Sequence, residues 1–83
     1  MNSHRHELRL PDLGLAGIPV TVSCWLVPRG ASVSDGDRLI QVLAGEVTVD
    51  LPSPARGVLV EQQVEEDDVV QTGQVLGVIR SRE

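Results

Sequence analysis

The chain has 83 residues and a formal net charge of −5, and its seven basic residues are all arginine, so it contains no lysine. This length allows one small domain, and an acidic chain without a basic stripe argues against nucleic acid and anionic membrane surfaces as partners. The single cysteine, Cys24, excludes an internal disulfide and a cysteine-based zinc site; with no apolar run of membrane-spanning length and no signal-peptide pattern, a cytoplasmic protein is expected.

Residues 1–7, polar and carrying His4 and His6, read as a flexible N-terminal segment. From Leu8 the texture changes. Leu8 and Leu10 alternate with polar neighbours until Pro11-Asp12-Leu13-Gly14 breaks the run. Val20, Val22 and Cys24 alternate with Thr21 and Ser23, and Trp25-Leu26-Val27 follows. Pro28-Arg29-Gly30 and Ser34-Asp35-Gly36-Asp37 are turn signals. Leu39 to Leu43 and Val47 to Leu51 predict a hairpin with a small apex at Ala44-Gly45-Glu46, ending at the Pro52-Ser53-Pro54 corner. Val58 and Val60 open a strand reaching about Val64. Glu65-Glu66-Asp67-Asp68 is an acidic turn, Val69-Val70 a short strand, Thr72-Gly73 another turn, and Val75 to Ile79 the closing strand. Residues 81–83 read as a tail.

Apolar residues recur at period two or in short runs between turn signals, and no window has a helical period. The expected fold is all-β, a small sandwich or barrel. Phe and Tyr are absent and Trp25 is the one aromatic, so Val and Leu must build the core. A weak internal repeat supports two similar halves. Val27, Val33, Gly36, Leu39 and Val42 match Val64, Val70, Gly73, Leu76 and Ile79, each pair 37 positions apart.

The order and spacing of Leu10-Pro11-Asp12-Leu13-Gly14, Val20-Thr21-Val22, Gly36-Asp37, Val47-Thr48-Val49, Pro52-Ser53-Pro54, Gly57 and Gly73 over residues 8–80 resemble the lipoyl domain of 2-oxo acid dehydrogenase acyltransferases, the branched-chain type in particular. The resemblance implies a flattened β-barrel of two four-stranded sheets with pseudo two-fold symmetry. It also implies hairpins at corresponding places in the two halves, the first carrying lipoate on a lysine within Glu-Thr-Asp-Lys-Ala. Counted back from Pro52-Ser53-Pro54, that motif falls on Leu43, Ala44, Gly45, Glu46 and Val47, so Glu46 occupies the lysine position. Lipoate and biotin bring a carboxyl group and need a nucleophilic amine to form an amide. Glutamate has none, and arginine is too firmly protonated to substitute. No cofactor is therefore expected, and the acidic flank is missing as well. The family often has Glu-Gly after Leu-Gly in a region that helps partner recognition; here Leu15-Ala16 stand there.

The function expected is a non-catalytic, unlipoylated docking or assembly module, with Ala44, Gly45, Glu46 and Val47 as the contact tip and subunits of a 2-oxo acid dehydrogenase-like complex as partners. The alternative is a structural interaction module of the same fold in an unrelated assembly. An enzyme built on Asp35, Asp37, Glu46 and Asp50 is weighed against local roles. Aspartates flanking a turn glycine favour backbone bonding, and Asp50 alternates outward on a strand. His4 and His6, two apart, would share one side of a strand and could clip a metal. In a loose end that reading is set aside, and no metal site is expected. Cys24 reads as an inert core or half-buried thiol, Trp25 as core, and Glu65 to Asp68 as a solvated turn that could steer a basic partner.

Overall fold

The chain folds into eight strands, several of them on the Val, Leu and Ile alternation read from the sequence. The computed structural model describes residues 3–82. The strands are β1 (Ser3–Arg9), β2 (Val20–Trp25), β3 (Ser32–Val33), β4 (Arg38–Ala44), β5 (Val47–Pro52), β6 (Gly57–Gln62), β7 (Val69–Val70) and β8 (Val75–Arg82), with no helix among the described residues. They pair antiparallel in two four-stranded sheets, ordered β1-β8-β6-β3 and β5-β4-β2-β7. Inward side chains from both sheets form one aliphatic core, in which Leu39, Ile40, Val42, Leu59, Leu76 and Ile79 are fully buried. Burying each such side chain is worth about 1.5–3 kcal/mol.

The 37-residue repeat is a structural two-fold. Advancing by 37 positions carries β2 onto β6, β3 onto β7 and β4 onto β8. The loop hydrogen bonds follow the same rule. Leu26 N–H donates to Leu39 O, and Gln63 N–H donates to Leu76 O. Asp67 N–H donates to Val22 O, and Gly30 N–H to Leu59 O. Side chains obey it too. Trp25 Nε1 donates to Val64 O at 2.9 Å, and Gln62 Nε2 donates to Val27 O at 3.0 Å. Each half thus ties its β2-type strand to a loop of the other, and neither half completes its own polar network alone.

Four features differ from the sequence reading. First, residues from Ser3 onward are a strand, because β1 pairs with β8 from Ser3↔Arg82 to Arg9↔Val75; Met1 and Asn2 lie outside the described residues. β8 likewise runs through the expected tail to Arg82, with Ser81 buried, and Glu83 lies outside the described residues. Second, Ser32–Val33 is a strand too short for a period to show. Third, Ser23 is a bulge residue, since Val22↔Val42 is followed by Cys24↔Gln41. The bulge reverses the facing of the residues after it, so Trp25 packs on the core and Cys24 is half-buried opposite polar Gln41. Fourth, the counterpart of the β4–β5 hairpin tip is no hairpin. It is the open end where β8 meets β1, strands far apart in sequence.

Candidate functional site

The β4–β5 hairpin is closed by two residues. Ala44 pairs with Val47, leaving Gly45 and Glu46 as the turn. Gly45 has φ +62°, and Glu46 is outside the positive-φ region. A positive φ at the first central position alone is the type II′ arrangement, which matches the strand twist and favours glycine there. Glu46 is exposed and makes no side-chain hydrogen bond or ion pair among the described residues. Val47 beside it is 52% exposed, whereas Ala44 is buried, so Ala44 supports the tip from inside and is not a contact residue. The tip presents a lone carboxylate with an apolar shoulder, and no amine.

The segment between β1 and β2 breaks the two-fold at this point. Ser53 N–H donates to Asp37 O as Leu10 N–H donates to Gln74 O, which makes the β5–β6 connection the counterpart of the β1–β2 connection. The β5–β6 connection is a short corner at Ser53 to Arg56; the β1–β2 connection runs from Leu10 to Pro19. Its extra residues fold on themselves. Asp12 Oδ1 accepts from Gly14 N–H at 2.8 Å, and Leu15 O accepts from Ile18 N–H at 3.1 Å. Gly14 and Gly17 take φ of +73° and +82°, which only glycine adopts without strain. Ile18 is thereby set against the tip, its Cγ2 3.6 Å from where a β-carbon on Gly45 would lie. A groove of about 470 Å³ opens between this segment and β7, lined by Leu13, Leu15, Ile18, Val20, Val69 and Thr72 among others. One cross-strand row, Val47–Ala44–Val20–Val70, joins tip to groove. The groove was not legible in the sequence beyond the departure at Leu15-Ala16, since it exists only where the segment meets β7.

The other acidic residues are held locally. Asp37 Oδ2 accepts from Ser34 N–H and Asp68 Oδ2 from Glu65 N–H, each at 2.8 Å. Asp50 Oδ1 accepts from Gln41 Nε2, and Asp35 is exposed on its turn. None of them is brought together with Glu46. Glu61 lies apart from these, with partners of its own. A hydrogen bond from Gln63, then one from Arg5, holds it below the ordinary value of 4.5. It lies on the outer face of β6 and belongs to a surface ion pair.

A two-sheet barrel with a pseudo two-fold and one projecting two-residue hairpin defines a biotin- or lipoyl-type carrier architecture. The chain belongs to the biotin/lipoyl family, whose model, described as biotin-requiring enzyme, matches residues 6–79. It is similar to the dihydrolipoyllysine-residue acetyltransferase component of the pyruvate dehydrogenase complex of Corynebacterium glutamicum, 35% identical over 88% of this chain and 11% of that protein. It is 33% identical to the dihydrolipoyllysine-residue succinyltransferase component of the 2-oxoglutarate dehydrogenase complex of Bartonella vinsonii subsp. berkhoffii, over 90% of this chain and 18% of that protein. The chain therefore spans under a fifth of these relatives. Among solved structures, the lipoyl domain of the 2-oxoglutarate dehydrogenase complex from Azotobacter vinelandii superposes with a TM-score of 0.71 at 23% identity, over 88% of this chain and 92% of that domain. A single-chain, multi-domain long-chain acyl-CoA carboxylase superposes with a TM-score of 0.75 at 26% identity, over 95% of this chain and 7% of that one.

Proposed function

We propose that this protein is an unlipoylated member of the family, a non-catalytic cytoplasmic docking or assembly module that binds subunits of a 2-oxo acid dehydrogenase-like complex through the tip and the adjoining groove. The observation that carries the reading is the tip itself. Glu46 projects alone at the hairpin apex, and the chain has no lysine to take its place. The family's prosthetic groups are held as amides, and a carboxylate cannot condense with their carboxyl group. The residues present do not fit such a group. The kinship with acyltransferase components of dehydrogenase complexes supports protein partners of that class. A free carboxylate beside Val47 and Ile18 suits a partner surface offering Arg, Lys or backbone N–H donors around an apolar contact.

The test is coexpression with a lipoate ligase followed by intact-mass measurement and hydrolysis. The expected result is the unmodified mass with no lipoate released; a lipoyl mass increment ends the reading. Capture of purified dehydrogenase and acyltransferase subunits should then be lost on Ile18→Asp. A second reading, an interaction module in a carboxylase-like or transport assembly, is favoured by the superposition on the acyl-CoA carboxylase. Transport or carboxylase genes beside this one would select it, and dehydrogenase genes would select the first.

A further inference from the structure

The open end opposite in symmetry to the hairpin tip carries side chains that the docking role does not use. Leu10 corresponds to Ser53, so counting back along β1 and β5 places His4 at the position of Val47 and His6 at that of Val49. Ser81 takes the place of Ala44. Where one half has two valines beside an alanine, the other has two imidazoles beside a hydroxyl.

The two histidines are held in an ordered strand rather than a loose end. His4 pairs with Ser81 and His6 with Ile79. Alternate residues of a strand share a face, so both rings stand on the side of buried Leu8. Arg5 and Glu7 stand on the other side, where Arg5 Nη1 donates to Glu61 Oε2 at 3.0 Å. The ring centroids of His4 and His6 are 6.5 Å apart, with planes tilted by 48°. Two imidazoles on one tetrahedral metal, with metal–nitrogen bonds of about 2.1 Å, bring their centroids to about 5 Å. His4 is exposed, so its ring has other staggered rotamers open to it. His6 is half-buried, and its Nε2 lies 2.9 Å from Ser81 Oγ. In the tautomer whose Nε2–H donates to Ser81, the lone pair is on Nδ1 and the ring is oriented by its outer partner, as metal-ligating histidines commonly are.

We propose that His4 and His6 form a two-imidazole site for a divalent transition-metal ion, with Ser81 orienting His6. Imidazole donors select Ni(II), Cu(II) or Zn(II) over Mg(II) and Ca(II). No third His, Cys, Asp or Glu joins the pair among the described residues, so water completes the coordination and the site exchanges its metal readily.

The experiment is calorimetric titration of the untagged full chain with Ni(II), then Zn(II), in a non-coordinating buffer. One ion per chain is expected, with Ni(II) tighter than Zn(II) and no heat from Mg(II). His4→Ala and His6→Ala should each weaken Ni(II) binding by at least about tenfold. Amide spectra with Zn(II) should show shifts centred on His4, His6 and Ser81, while far-UV spectra of both variants confirm the fold. No binding by the unaltered chain overturns the proposal. So does either single variant that binds as before.

Discussion

Asp67 occupies the backbone position that Gly30 occupies in the other half, at φ +72° against +95°. Both N–H groups donate to the matching strand, Asp67 to Val22 O and Gly30 to Leu59 O, so both turns must enter the left-handed region. Glycine enters it freely, whereas a residue with a β-carbon pays a steric cost that aspartate only partly escapes. Asp67→Gly should stabilise the protein by up to about 1 kcal/mol, and Gly30→Ala should destabilise it by about 1 kcal/mol or more. Urea midpoints with an unchanged slope would check both.

Gly77 is a packing glycine. A β-carbon there would lie 2.8 Å from Glu61 O and 2.9 Å from the Trp25 ring. Neither backbone nor a core indole yields easily, so Gly77→Ala should cost about 1–3 kcal/mol. Trp25 is the only aromatic residue, and its fluorescence should shift in the folded variant because the ring is displaced. An unshifted spectrum with full stability would refute the close approach.

At the hairpin apex, Glu46→Lys should change stability by less than about 0.5 kcal/mol, since the side chain is exposed and makes no contact to lose. The variant supplies an amine at the apex, but Leu43, Ala44 and Gly45 leave it without the family's acidic flank. Weak modification at most is expected from a lipoate ligase, read by intact mass. Complete modification would show that the flank is dispensable.

Glu61 links charge to stability on the acid side. Hydrogen bonds from Gln63 and Arg5 favour its carboxylate, so its folded value lies below the ordinary 4.5. A lowered value means that the contribution is present above the ordinary value and is lost as pH falls through the folded one. Arg5→Ala should raise the Glu61 titration midpoint toward 4.5, measured by carboxyl carbon shifts, and leave stability at neutral pH nearly unchanged because the pair is exposed.

Much of the fold was legible because its code is local. Alternation located β2, β4, β5 and β8, and turn glycines separated them. Gly36 and Gly73, 37 apart, share φ values of +90° and +87°. What stayed hidden was decided by partners distant in sequence. Ser3 to Glu7 carries no apolar alternation and is a strand only because β8 offers it an edge. Val60 looked like an apolar strand residue equivalent to Val58, yet it is the bulge residue of β6, and the core position is Leu59. The β2 bulge at Ser23 was hidden likewise, although the core placement of Trp25 and the half-burial of Cys24 were both legible.

The sequence by itself determined that this is a small all-β domain of the biotin/lipoyl family whose chain contains no lysine. Side-chain period, turn chemistry and the absence of lysine are properties of the chain alone. Only the tertiary structure decided what stands around Glu46. Ile18 meets Gly45 because a long connection folds over the end of one sheet, and His4 meets Ser81 because the chain's two ends pair. Both are long-range contacts, created when the two sheets bury their common core, and no local pattern encodes them.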